Sequence, residues 1–182
     1  FELADNDFID DTAKFHSGWE LDSGEVYAYR SGEVYGWTAH SGNQFLEMNG
    51  LKEDPGTIST NVATEVDKTY RLRFAYAKSP NSEESLKMKV FIGTVTTKTI
   101  TASIEGSGLA WELQDIEFTA NSANTRIRFK SLALEDGPRT NAVMLDSVRL
   151  DEVTPTDFYA VFSELENLAK ASMKFGDAPY AK

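Results

Sequence analysis

The sequence predicts an all-β protein, an antiparallel jelly-roll β-sandwich followed by a C-terminal amphipathic helix. Three observations carry that prediction. Apolar and polar residues alternate with a period of two through most of residues 57–150, as in strands with one buried face. Turn chemistry interrupts the alternation at Asp54-Pro55-Gly56, Ser79-Pro80-Asn81, Gly106-Ser107-Gly108, Asn121–Asn124 and Asp136-Gly137-Pro138. No helical periodicity intervenes before Val153. Short strands spaced in this way pack as two sheets, so that each buries its apolar side, and about eight or nine strands are expected.

Taken in order, the chain opens with an acidic stretch, Phe1–Glu20, in which Asp5, Asp7, Asp10 and Asp11 surround Phe8 and Ile9. It is read either as a short first strand with carboxylates at its ends or as a solvated acidic terminus. The stretch EVYAYRSGEVYGWTAHSGNQFLEMNG, Glu25–Gly50, sets Tyr27, Tyr29, Tyr35 and Trp37 around a glycine-punctuated turn and runs into a strand at Gln44–Met48. Thr57–Val62 is the next strand. In TYRLRFAYA, Tyr70, Leu72, Phe74 and Tyr76 share one face, with Arg71 and Arg73 on the other. LKMKVFI turns Leu86, Met88, Val90 and Ile92 inward and Lys87 and Lys89 outward; TRIRFKS turns Ile127 and Phe129 inward and Arg126, Arg128 and Lys130 outward. Further strands are expected at Thr94–Ile104, Trp111–Phe118 and Val143–Leu150.

After Thr154-Pro155-Thr156, a stop and potential cap, DFYAVFSELENLAKASMK places Phe158, Val161, Phe162, Leu165, Leu168 and Ala169 on one helical stripe. Acids come early and lysines late, as the helix dipole prefers, and Gly176 is the stop. The domain division is therefore residues 1–153 for the sandwich and 154–182 for the helix and tail. The helix either packs back on its own sandwich or docks to another protein.

Composition narrows the function. At 182 residues the chain can bury one core of ordinary size, and with no cysteine it has neither disulfides nor thiolate metal sites. A net charge of −11, from 29 acidic and 18 basic residues, argues against non-specific nucleic-acid binding and favours solubility and cation binding. No apolar run is long enough for a membrane span. A chain that starts at Phe1 is read as a fragment or a processed product, compatible with secretion.

Candidate site residues come from two places. Tyr27, Tyr29, Tyr35 and Trp37, with Arg30, His40, Asn43 and Gln44, combine rings with hydrogen-bonding groups, the usual makeup of a ligand surface. In LDSVRL, Asp146, Val148 and Leu150 share one parity, so Asp146 is expected to point inward with the two aliphatics. A buried carboxylate needs a partner, either an arginine or a calcium ion shared with Asp7, Asp10 and Glu47. The outward cations Arg71, Arg73, Lys87, Lys89, Arg126, Arg128 and Lys130 form either an ordinary solvated face or, if their strands are neighbours, a basic patch. Such a patch suits an acidic polysaccharide or an acidic partner surface. No catalytic constellation is present: His16 and His40 form no zinc pair, and there is no nucleophile elbow or phosphate-cradling loop.

The succession of GW, GEVYAYRSGEVYGWTAHSGNQFLEMNG, GTISTNVATEVDKTYRLRFAYA and LDSVRL resembles the galactose-binding-like jelly rolls. Within them it is most similar to secreted carbohydrate-binding modules of the family 4, 9 and 22 type, and to ligand-binding modules of large calcium-dependent bacterial adhesins. The resemblance covers roughly Asp5–Val153 and is a pattern of strands and turns. It implies a structural calcium tying the first strand to the last, with Asp146 as a ligand and NDFID matching the opening strand. Many members open Asn-Gly-Ser-Phe-Glu where this chain has Asn6-Asp7-Phe8-Ile9-Asp10.

The expectation is a non-catalytic extracellular or cell-surface module that binds a carbohydrate through Tyr27–His40 and is stabilised by calcium. Two alternatives of other classes are a structural or assembly subunit docking through the C-terminal helix and an adhesin module that recognises a protein or peptide.

Overall fold

The computed structural model describes residues 7–9, 14–16, 18–33, 35–49, 55–80, 82, 85–132 and 142–154, the first two segments as backbone. Asp10 and the helix expected at Asp157–Lys174 lie outside the described residues. In chain order the strands are β1 (Asp7–Ile9), β2 (Lys14–His16), β3 (Trp19–Ser23), β4 (Val26–Arg30), β5 (Gln44–Glu47) and β6 (Thr57–Ala63), then β7 (Thr69–Lys78), β8 (Leu86–Ile92), β9 (Thr96–Ala102), β10 (Glu112–Thr119), β11 (Asn124–Ser131) and β12 (Val143–Glu152).

They form two antiparallel sheets, β1-β4-β5-β12-β7-β10 and β2-β3-β6-β11-β8-β9. Each is five strands wide once the three-residue edge strands β1 and β2 are set aside. The jelly-roll sandwich expected from the alternation is the fold observed, with strands of one sheet interleaved in sequence with those of the other.

The period-two residues meet between the sheets. Leu72, Phe74, Tyr76 and Leu145 of the first sheet face Ile58, Val90, Ile127 and Phe129 of the second, with Phe74 and Phe129 edge to face at 5.1 Å. These side chains are shielded from water, which is the main favourable term holding the two layers together.

The strand count exceeds the expected eight or nine, the additional strands being the short β2, β3 and β4. In VYAYR the small residues Val26 and Ala28 are fully buried in the core while the larger rings Tyr27 and Tyr29 are half-buried on the outer face. Ring size points away from the core there, against the usual reading of an alternating strand.

The sheets are tied at one end by Gly56, which precedes β6. Its N–H donates to the Met48 carbonyl at 2.7 Å and its own carbonyl accepts from Ser131 N–H at 2.9 Å, joining the end of β5 to the end of β11. A Cβ at Gly56 would lie 2.4 Å from the Glu25 carbonyl oxygen and 2.5 Å from Val26 Cγ1. Gly56→Ala is therefore expected to destabilise the fold by about 2–3 kcal/mol. The check is urea unfolding, in which the midpoint should fall with the slope unchanged.

Candidate functional site

The first sheet carries a second apolar cluster on its outer face. Phe45 of β5, Met144 of β12 and Ala77 of β7 are buried there with Ala142 and Trp37, and Tyr29, Ala39, Leu109 and Trp111 pack on them. Phe45 holds Tyr29 at 5.7 Å and, edge-on, Trp111 at 5.9 Å. This face is covered by the 31–43 loop between β4 and β5. Ser31 N–H donates to the Asn43 carbonyl at 2.7 Å and Gly32 N–H to the Trp37 carbonyl at 2.6 Å, closing the loop on itself. Trp111 Nε1–H donates to the Thr38 carbonyl at 2.9 Å, fastening it to the strand β10 side.

Asp146 is the main fastening. The parity argument places it inward beside Val148 and Leu150, and the structure corrects this. β12 carries a bulge: Asp146 is in register with Ala75 and Arg149 with Arg73, so one extra residue falls between them. Ser147 takes that position with φ 53°. The extra residue reverses the alternation, leaving Val148 and Leu150 against the main core and Asp146 in register with outward-facing Ala75.

Asp146 is nevertheless only 2% exposed, because the loop lies over it. Its carboxylate accepts from Ser41 N–H at 3.0 Å and from Ser147 N–H at 2.6 Å. Ser147 Oγ lies 2.8 Å from both His40 Nδ1 and Ser41 Oγ, so bulge and loop are laced together. Burial pushes the Asp146 carboxyl above its ordinary range, and the backbone N–H groups of Ser41, Ser147 and His40 pull it only part of the way back. Among the described residues no arginine or lysine forms an ion pair with it.

The remaining predicted residues separate into groups. Tyr27 and Tyr29 lie together on the outer face of β4, ring centroids 4.5 Å apart. Tyr27 is in register with Glu47, and the Tyr29 hydroxyl donates to the Glu47 carboxylate. Both are held above their ordinary ranges chiefly by burial, Glu47 at about 7. Trp37, named as part of the ligand surface, is 6% exposed and packs in the second cluster, whereas Tyr35, tilted against it at 4.9 Å, is 74% exposed. Arg30 is half-buried in register with buried Gln44, and Asn43 and His40 are exposed beside the loop. Asp7 is in register with Ala28, one position out of step with the Tyr27–Glu47 pair. Among the described residues no three His, Asp or Glu side chains gather as a metal group.

Sequence reasoning missed Trp111, Phe45, Ser41 and Ser147. A signal existed for Trp111: it and Leu113 have the opposite parity to Ile116 and Phe118 in the same strand region, which marks two apolar faces.

Residues 7–151 match the family described as "Protein of unknown function (DUF642)". No curated protein matches the sequence. Among solved structures, the chain is similar to the module TmCBM61, determined in complex with β-1,4-galactotriose, at 16% identity over 74% of this chain and 87% of that one, with a TM-score of 0.54. It is also similar to the CBM22-1 xylan-binding domain of Xyn10C from Paenibacillus barcinonensis, at 13% identity over 85% and 100% of the two chains, TM-score 0.51. A third similarity is to the enzymatically active domain of tailspike protein 4 of bacteriophage CBA120, at 8% identity over 75% of this chain and 20% of that one, TM-score 0.51. At such identities the likeness is one of fold: a β-sandwich shared with carbohydrate-binding modules.

Glu47 supplies a test of the site's electrostatics. Its carboxyl is lifted from 4.5 to about 7, so the folded chain keeps a proton that the unfolded chain has already released. Its contribution to stability therefore declines as pH rises from about 4.5 to about 7 and is level above that. Glu47→Gln keeps an acceptor for Tyr29 and removes the buried charge. It is expected to match the parent in melting temperature at pH 4 and exceed it at pH 8, by calorimetry. A cation held on Glu47 would reverse the order at pH 8.

Proposed function

The chain belongs to the family described as "Protein of unknown function (DUF642)", so its function is argued from its own surface, and we propose that it is a non-catalytic, extracellular carbohydrate-binding module. The observation that carries this reading is Tyr35. A bulky residue at φ 53° occupies backbone space that non-glycine residues rarely adopt, and here it presents a ring that is 74% exposed. Gly36 beside it, at φ 69°, continues the same turn. Strain of this kind persists only where the surroundings hold it, and Trp37, packed beneath in the second cluster, is the support.

A displayed ring on a rigid base is what the face of a sugar stacks on. Half-buried Tyr27 and Tyr29 extend the aromatic surface, and Arg30, Asn43 and His40 supply donors and acceptors for hydroxyls. The fold shared with modules crystallised with, or named for, galactotriose and xylan supports the carbohydrate class; β-1,4-galactan and xylan are the first probes.

A structural calcium is the second part of the proposal. Its support is the buried Asp146 carboxylate, met among the described residues by neutral N–H donors and no cationic side chain, in a chain with 29 acids. Asp146 would be the fixed ligand; Asp7, on β1 and three strands from β12 in the sheet order, does not stand beside it.

Tyr35→Ala is expected to weaken binding of the best-bound neutral glycan about tenfold, with the melting temperature unchanged. Trp37→Ala is expected to cost about 3–5 kcal/mol of stability as well as binding. Glycan binding that survives Tyr35→Ala intact removes this ring from the site. For the ion, added calcium is expected to raise the melting temperature and a chelator to reverse the rise; an identical melting curve in both buffers removes calcium from the proposal.

A further inference from the structure

The outer face of the second sheet has a different character, and the cations predicted from the sequence divide between the two sheets. On the first sheet Arg71 stands in register with Glu117, and Arg73 with Asp115. Each is an ion pair, the first with Arg71 Nε 2.9 Å from Glu117 Oε1 and the second at 3.5 Å. Opposite charges on facing positions are the stabilising arrangement. These two are therefore not part of a basic patch. Nor is Arg126, which bonds Asp22 at 2.8 Å.

Four cations remain, on the neighbouring strands β8 and β11 of the second sheet. Lys130 stands directly opposite Lys89, a like-charge pairing that works against the sheet. Arg128 stands opposite Phe91, with its guanidinium carbon 4.1 Å from the ring centroid, and Lys89 Nζ is 5.2 Å from the same ring. Lys87 continues the row along β8. Among the described residues no carboxylate forms an ion pair with Lys87, Lys89, Arg128 or Lys130, in a chain whose net charge is −11.

The edge strand β9 completes the surface. Thr97, Thr99 and Thr101 are all exposed and stand in register with Phe91, Lys89 and Lys87. Each row across the strands therefore runs from a hydroxyl to a ring or an ammonium and, in two of the three rows, on to a cation of β11. Neighbouring strands stand about 5 Å apart and successive outward residues on one strand about 7 Å apart. That grid is comparable to the length of one pyranose residue.

We propose that the outer face of β9, β8 and β11 binds a linear acidic polysaccharide carrying one carboxylate per sugar, at a surface separate from the aromatic site on the opposite sheet. The cations meet carboxylates, the threonines meet ring hydroxyls, and an extended chain crossing the strands encounters both at each step. A nucleic acid needs open rings for its bases, and Phe91 is already covered by Arg128. An acidic protein partner needs buried apolar or aromatic anchors at the centre of the patch, and Phe91 is half-buried beneath a cation. Polymers with more than one charge per sugar are opposed by the net charge of the rest of the chain.

The test uses the 182-residue chain and sodium polygalacturonate in calcium-free buffer, with neutral β-1,4-galactan, heparin and single-stranded polyuridylate as comparators. Polygalacturonate is expected to be bound more tightly than heparin or polyuridylate, with affinity falling steeply between about 50 and 200 mM salt. The triple variant Lys87→Gln, Lys89→Gln, Lys130→Gln should bind it at least about tenfold more weakly and with a smaller salt slope. Its melting temperature should be equal to or above the parent's, since a like-charge pair has been removed. The three Lys→Arg replacements should restore binding, and Tyr35→Ala should leave it unchanged, so that failure here and failure of the aromatic site are read separately. Absence of polygalacturonate binding by the parent, undiminished binding by the glutamine variant, or preference for heparin or polyuridylate overturns the proposal.

Discussion

The buried Asp146 carboxylate, seated at a bulge in β12, is the contact on which the ring-bearing face depends. Its two oxygens receive the backbone N–H groups of Ser41 and Ser147, one from the loop and one from the bulge itself. Hydrogen bonds to an ionised acceptor are stronger than neutral ones, and that strength offsets part of the cost of burying the charge. Once Ser41 is held, the 31–43 loop has to lie across the first sheet. That placement buries Trp37 over Phe45 and Met144 and leaves Tyr35 projecting from the far side of the turn.

One consequence is that the first sheet is covered on both faces over part of its length. β5 is buried at every position, and β7 changes from alternating burial at its start to continuous burial from Phe74 to Lys78. On the second sheet β8 and β11 keep the alternation of strands with one solvated face, as does β10 at the edge of the first. The sandwich is therefore asymmetric. Its first sheet is stiffened by packing from both sides where the aromatic residues lie, and its second presents an open lattice of side chains.

The sandwich was legible in the sequence wherever burial was one-sided, because a period of two then records directly which residues face the core. Tyr70, Leu72, Phe74, Met88, Val90, Ile127 and Phe129 all lie where the alternation places them. The aromatic stretch was legible as a surface feature, but its internal roles were not. Trp37 and Tyr35 look alike in sequence, and what separates them is which one the loop folds against the sheet. Asp146 was identified as buried for a sound reason, yet it was placed on the wrong face and its described partners are backbone N–H groups. Parity carries no information across a bulge, and Ser147 is not a glycine that would have announced its left-handed conformation. The cations were legible as outward residues, while their partners depended on strand order, which separates Arg71 and Arg73 from the other five by the whole thickness of the sandwich.

That separation explains how a protein with a net charge of −11 keeps a face whose four cations form no ion pair among the described residues. Exposed ion pairs contribute little to stability, so placing acids beside Arg71 and Arg73 and not beside Lys89 and Lys130 changes stability little. What it changes is the field outside the molecule. Charges of opposite sign on facing positions cancel within a few ångströms, whereas cations on adjacent strands add, and over a flat sheet face they act together on a charged chain that approaches it. The same mutual repulsion that weakly opposes the β8–β11 pairing is relieved when carboxylates settle between the strands. The first sheet concentrates burial to display a ring; the second sets Lys87, Lys89, Arg128 and Lys130 together without an ion-paired acid among the described residues, and the sandwich separates the two faces.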